Sequence, residues 1–118
     1  MKIAIIGLGS VALADALAFA RLHQVVMTGP VPDRVDAING GDYALNDPAL
    51  SAYCAAHDLN LRATLNTQDA LDGADIVFVS APLSQDPENG DLRLVELESR
   101  IEFALRALPL VPVVIRSA

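Results

Sequence analysis

Apolar residues fall along this 118-residue chain in short, dense runs separated by polar turns. KIAII at 2–6, QVVMT at 24–28, DIVFVS at 75–80 and VPVVIRS at 111–117 are rich in β-branched residues. Runs so short are too brief for a self-standing helix, so they predict strands buried on both faces. LRAT at 61–64 is a weaker candidate for one more strand. Between the strands the pattern turns helical. Val11 to Leu22 is apolar nearly all round, which predicts a helix buried against a sheet, with Ser10 as its cap. DRVDAIN predicts a short helix ended by Asn39, Gly40 and Gly41.

Residues 42–60 predict a helical excursion through ALSAYCAAH, with Asn46 or Asp47 as its N-cap and Pro48 at its start. Asn66 followed by Asp69 resembles a capping box, opening a short helix that Gly73 closes. Leu94, Leu97, Ile101, Leu105 and Leu108 mark one face of a long amphipathic helix after a polar loop. The pairs Glu96–Arg100 and Glu102–Arg106 support that helix on its exposed side. Alternating strands and helices with near-continuous apolar strands predict an α/β fold with a doubly wound parallel sheet. The strand order follows from right-handed crossovers as 3-2-1-4-5, in a single domain spanning 1–118.

Composition narrows the function. The net charge of −7 leaves no basic stripe for phosphate backbones and would be repelled by an anionic membrane, so neither nucleic acid nor membrane is expected as a partner. Hydrophobic residues are 53% of the chain and aromatics only 4%, which calls for a core of Ala, Val, Leu and Ile. The single cysteine, Cys54, excludes an internal disulfide framework and suits a reducing compartment, with the cytoplasm as the default. The first 20 residues loosely match a signal peptide, with Lys2, an apolar run and small residues at Ala18 and Ala20. Asp15 and the Gly7–Gly9 pair interrupt that run, and the order strand, turn, helix fits it better.

Gly7, Gly9 and Ala12 spell G-x-G-x-x-A between a predicted strand and a predicted helix, which is the context that gives this fingerprint meaning. Gly7 permits the tight turn, Gly9 lets the backbone approach a pyrophosphate, and Ala12 allows close packing of helix on sheet. The helix start then offers unpaired N–H groups to an anion. The bland alternative is that these glycines serve only a tight turn. About twenty residues on, at the end of the second strand, such sites hold an acid that grips the ribose hydroxyls. Here that place holds Gly29, with Arg34 nearby.

The segment MKIAIIGLGSVALADALAFARLHQVV resembles the start of the UDP-glucose and GDP-mannose dehydrogenase family. VPDRVDAINGG, NDPAL, LRATLNTQDALDGADIVFVSAP and VVIRSA are similar to successive family segments in the same order. The resemblance implies a Rossmann NAD-binding domain that, in the family, precedes a long helix and a second domain for the sugar nucleotide. It also implies that the catalytic residues, a nucleophilic cysteine and its helpers, lie beyond residue 118, so that the substrate domain is absent from these residues.

The departures cluster where the family touches its cofactor. Against the family pattern, Ser10 replaces a tyrosine, Ala12 the third glycine, Gly29 the ribose-binding aspartate, and Ala81-Pro82-Leu83 a threonine-proline-threonine. The cofactor contacts expected from the fingerprint and the resemblance are therefore Gly7, Gly9, Ser10, Val11, Ala12, Gly29, Arg34, Ala81 and Pro82. Three consequences stay open: NADP preference with Arg34 taking a 2′-phosphate, NAD binding weakened to the pyrophosphate loop alone, or a non-enzymatic interaction module that keeps only the fold. A homodimer through the apolar helices, or a missing substrate domain, would serve as partner.

Cys54 matches no family nucleophile, and with His23 and His57 it falls short of a zinc set. A small core thiol is the expected role. Asp15, an acid within an apolar helix, is expected on an exposed face.

Overall fold

A computed structural model describes residues 1–43, 48–56, 58–81, 101–102, 105–106 and 110–117. Five parallel strands, β1 (Lys2–Ile6), β2 (Gln24–Thr28), β3 (Leu61–Thr64), β4 (Ile76–Ala81) and β5 (Val113–Ser117), form one sheet in the order β3-β2-β1-β4-β5. Both the strand set and the order match the sequence expectation. The helices are α1 (Ser10–Phe19), α2 (Pro32–Asn39), α3 (Pro48–Ala56) and α4 (Thr67–Leu71). Ile101, Glu102, Leu105 and Arg106 are also helical, while Leu94, Leu97, Leu108 and the Glu96–Arg100 pair lie outside the described residues. Among the described residues no helix is long and apolar enough to cross a membrane.

Alternation of side chains splits β1 between two cores. Ile3 and Ile5, level with Val25 and Met27 of β2, pack with Leu13, Ala16 and Leu17 of α1 and with Val35 and Ile38 of α2. Ala4 and Ile6 point the other way and join Val77, Val79, Leu71 and Ala74. Burial on both faces is why these strands read as unbroken apolar runs.

Helix α1 differs from the expectation in two respects. Its buried stripe is Ala12, Leu13, Ala16, Leu17 and, just past its end, Ala20, while Ala14 and Ala18 are exposed. Alanine is apolar by count yet tolerates water, so the all-round apolar pattern hides an ordinary one-sided helix. The helix also ends at Phe19 rather than Leu22, and Leu22 is exposed. Asp15 is half-buried and is not an isolated acid.

The edge strand β3 is held from the side by a side chain. Asn39 donates through Nδ2 to the Ala63 carbonyl at 2.9 Å and accepts the Ala63 N–H on Oδ1 at 2.7 Å. An amide group thereby stands in for one residue of a neighbouring strand, satisfying edge groups that would otherwise need water. At α4, Asn66 accepts the Asp69 N–H at 3.2 Å as predicted, but only half of a capping box forms. The Asp69 carboxylate turns instead to Arg62 on β3, at 2.9 Å. Downstream, Arg106 donates to Glu102, the i,i+4 pair expected from the sequence.

Candidate functional site

The order reverses at β1, whose two neighbours are β2 and β4, and open α/β sheets bind ligands beyond the strand ends at such a switch point. Gly7 follows β1, Gly29 follows β2, and Ala81 ends β4, so the fingerprint, the missing acid and the altered strand end meet at one edge. The Gly7 N–H donates to the Thr28 carbonyl at 2.8 Å, tying the glycine turn to the end of β2.

The glycines of the turn have different physical origins. Gly7 has φ +143°, and a Cβ there would lie 2.8 Å from the Ser80 carbonyl oxygen and 3.1 Å from the Ser80 Cβ. Both the backbone conformation and the contact with β4 demand glycine. Gly9 has φ −76° and ψ −178°, open to any residue, and a Cβ there would meet nothing within 4 Å among the described residues. The fold gives Gly9 no reason to lack a side chain. Ala12 is fully buried against the sheet, which explains a small residue at the third fingerprint position.

Gly9, not Ser10, is the N-cap of α1, and no side chain caps the helix. Ser10 is the first helical residue, which corrects its expected role as cap. The turn brings the chain into helical geometry one residue sooner than the polar residue suggests. Gly9 brings no side-chain acceptor to the helix N-terminus, and the first turn of α1 holds no acid.

Gly29 presents the opposite situation. A Cβ built on it would lie 2.7 Å from both Cγ and Cδ1 of Leu8, the residue between the two glycines. Leu8 is only 8% exposed. Its carbonyl accepts a hydrogen bond from the Arg34 guanidinium at 3.2 Å. Arg34 is thus fastened to the glycine turn. Leu8 was not singled out by sequence reasoning; the one available signal was that a glycine at 29 leaves a volume that some neighbour must fill.

The backbones of Ser10 and Val11 open α1, and Ala81 ends β4. Pro82 lies outside the described residues. Cys54 is elsewhere: it and Tyr43 pack against the α1 side of the core, and burial pushes the Cys54 thiol pKa up. The Tyr43 hydroxyl is pushed up as well, by burial first and then by the neighbouring Cys54. A thiol so shifted is a packing group rather than an activated nucleophile. His57 lies outside the described residues, and among those described no three metal-ligating side chains converge.

A parallel 3-2-1-4-5 sheet with a glycine turn at its reversal point defines a Rossmann-type nucleotide-binding domain. The profile of the UDP-glucose/GDP-mannose dehydrogenase family, NAD binding domain, matches residues 1–117, and the chain belongs to that family. It is 27% identical over 117 residues to a UDP-glucose 6-dehydrogenase of Streptococcus pneumoniae, covering 99% of this chain and 30% of that protein. A GDP-mannose dehydrogenase of Pseudomonas aeruginosa, solved as a ternary complex, superposes with TM-score 0.76 at 27% identity, covering 99% of this chain and 28% of the other. A UDP-glucose dehydrogenase of Pyrobaculum islandicum shares the fold, with TM-score 0.74 at 24% identity over 98% of this chain and 28% of the other. The chain therefore spans less than a third of the length of these relatives.

Proposed function

We propose that this domain binds a nicotinamide dinucleotide chiefly through its pyrophosphate, with the grip on the adenosine ribose lost. The observation that carries this reading is the contrast between Gly9, where no described residue lies within 4 Å of an added Cβ, and Gly29, covered by Leu8. The Gly9 backbone and the first turn of α1 would cradle the pyrophosphate, with N–H groups of Ser10 and Val11 directed by the helix N-terminus. Gly7 sets the turn and Ala12 lets α1 approach the sheet. Ala81, with Pro82 after it, would border the nicotinamide end. NAD would supply a hydride acceptor to a sugar nucleotide bound by groups outside these residues, so the domain is the cofactor half of a nucleotide-sugar dehydrogenase.

A carboxylate at 29 would take both ribose hydroxyls in charge-assisted hydrogen bonds worth about 2–4 kcal/mol together. Its loss weakens NAD by tens to hundreds of fold, on the order of one decade per 1.4 kcal/mol, and puts the dissociation constant near millimolar. Loss of the negative charge also removes the penalty on a 2′-phosphate, and Arg34 supplies an attractive charge. The expected order is therefore NADP+ at least as tight as NAD+.

A thermal-shift titration with each nucleotide to about 10 mM tests this reading. A millimolar ligand at that level stabilises by about 1.4 kcal/mol. In a domain near this size that raises Tm by roughly 3–8 °C. Absence of a shift with either nucleotide, in a protein that melts cooperatively, would refute it and favour an interaction module that keeps only the fold.

A further inference from the structure

We propose that Asn39–Gly40 is a deamidation site that the fold holds closed, and that its reaction permanently unfastens the edge strand β3. An asparagine followed by glycine is open to attack by the next backbone nitrogen on the side-chain amide carbon, because glycine has no Cβ to crowd the approach. In that step the Gly40 N–H gives up its proton, its nitrogen bonds to Asn39 Cγ, and the Cγ–Nδ2 bond breaks to release ammonia. Water then opens the succinimide at either carbonyl and leaves an aspartate or an isoaspartate at position 39.

Both reacting groups are engaged elsewhere in the folded chain. The amide is pinned to β3, since Nδ2 donates to the Ala63 carbonyl at 2.9 Å and Oδ1 accepts the Ala63 N–H at 2.7 Å. The Gly40 N–H is committed to the Asp36 carbonyl at 2.9 Å, within the last turn of α2. Asn39 and Gly40 are both exposed, so water and base reach the pair, and hydrogen bonds rather than burial protect it. Attack therefore requires the end of α2 to leave β3, a local opening smaller than global unfolding.

The product cannot close the clasp again. A carboxylate only accepts, so it sets a negative oxygen where Nδ2 had donated to the Ala63 carbonyl. An isoaspartyl link lengthens the main chain by a methylene and shortens the side chain, which takes both oxygens out of register with Ala63. The edge of β3 is then unguarded. Each opening of the α2–β3 contact carries a chance of this one-way step, so the pair records how often that contact opens.

The unaltered chain and Gly40→Ala are aged at mildly alkaline pH, folded and in urea, and the tryptic peptide spanning residues 35–62 is read by tandem mass spectrometry. Gly40 has φ −83°, and an added Cβ would meet the Asp36 carbonyl oxygen at 3.3 Å, so alanine fits there with a small adjustment. Deamidation at Asn39 in the unaltered chain is expected to run at least about tenfold slower folded than in urea. Gly40→Ala is expected to slow it in both. The deamidated molecules, separated by ion exchange through their added negative charge, are expected to unfold at lower urea than those that kept the amide, with the slope unchanged, and Asn39→Asp to reproduce that shift. If Asn39→Asp does not fold, the aged unaltered chain gives the reading, because its deamidated molecules then appear only in the unfolded fraction. Equal rates folded and in urea overturn the protection, deamidated molecules with an unaltered urea midpoint overturn the unfastening, and no reaction even in urea removes the site altogether.

Discussion

Replacing Gly7 and Gly9 separately by alanine separates folding from binding within one turn. At Gly7 the backbone has φ +143°, where a Cβ is strained, and that Cβ would approach the Ser80 carbonyl oxygen to 2.8 Å. Strain of this kind costs about 1–3 kcal/mol, and forcing a methyl into filled space costs about 1–3 more. The clash is with the main chain of β4, paired on both sides by β1 and β5, so no side chain can turn aside to relieve it. A fall of about 2–6 kcal/mol is a large part of the ~6–15 kcal/mol expected of a chain this long. Gly7→Ala should therefore lower Tm by on the order of 10 °C or more, or prevent folding.

Gly9→Ala faces neither obstacle, since φ is −76° and none of the described residues lies within 4 Å of the new methyl. Alanine is the poorer N-cap by less than about 1 kcal/mol, and the stiffer unfolded chain offsets about 0.4–1 kcal/mol of that. Its melting temperature should stay within a few degrees of the unaltered chain. The methyl does project into the space assigned to the pyrophosphate, so dinucleotide affinity should fall at least about tenfold. Circular dichroism melts and nucleotide titrations on both variants read the two effects separately. If Gly9→Ala melts as low as Gly7→Ala, the division of roles is wrong; if it folds and binds unchanged, the pyrophosphate does not sit over Gly9.

Asn39→Ala should cost about 1–3 kcal/mol, because both hydrogen bonds to the Ala63 backbone disappear together; a shift in urea midpoint at constant slope would show it, and an unchanged midpoint would mean water replaces the amide at no cost. Leu17→Ala, at a fully buried position under α1, should cost about 2–5 kcal/mol, read in the same urea titration. The hydrogen bond from Arg62, opposed only in part by desolvation, holds the Asp69 carboxyl below its ordinary range. A pKa lowered on folding contributes stability that is present above the ordinary carboxylate pKa near 4 and is lost as pH falls through the folded value. Asp69→Asn should accordingly flatten the pH dependence of Tm below about pH 4 and leave its shape above pH 6 unaltered. Burial raises the Cys54 thiol, so alkylation by iodoacetamide at neutral pH should run slower than that of a free cysteine and speed up as pH rises; a rapid, pH-insensitive reaction would contradict the packing role.

Most of the sheet was legible because parallel strands covered on both faces leave a signature that needs no partner to interpret: KIAII, QVVMT and DIVFVS are apolar almost throughout. Crossover handedness then fixes the order. What was not legible depends on groups far apart in sequence. Asn39 looked like a helix terminator, and its second role lies 24 residues away at Ala63. Asp69 had the spacing of a capping box, but the Asn66 N–H that would close it donates to Thr64 Oγ1 at 3.0 Å, and Arg62 offers the carboxylate a partner that is itself charged. Ser10 invited the role of cap because serine caps helices, whereas the turn after Gly7 already places Gly9 in the cap position.

The candidate site divides along the same line. The fingerprint glycines announce themselves by spacing, but spacing cannot say which glycine the fold needs and which it leaves for a ligand. Gly7 is explained completely by Ser80 and by its own φ, so it would be kept in a chain that binds nothing. Gly29 is explained by Leu8, so its missing side chain records packing at the crevice rather than room for a cofactor. Of these three glycines, Gly9 alone has no structural account among the described residues, being of ordinary conformation with none of them within 4 Å of an added Cβ. A residue that the fold does not require, at the one point where a pyrophosphate would touch the backbone, is what a retained binding function predicts and a purely structural relic does not. On the proposed function the two ends are compatible: a site without the ribose contact at position 29 would still offer the Gly9 backbone and the start of α1 to a pyrophosphate.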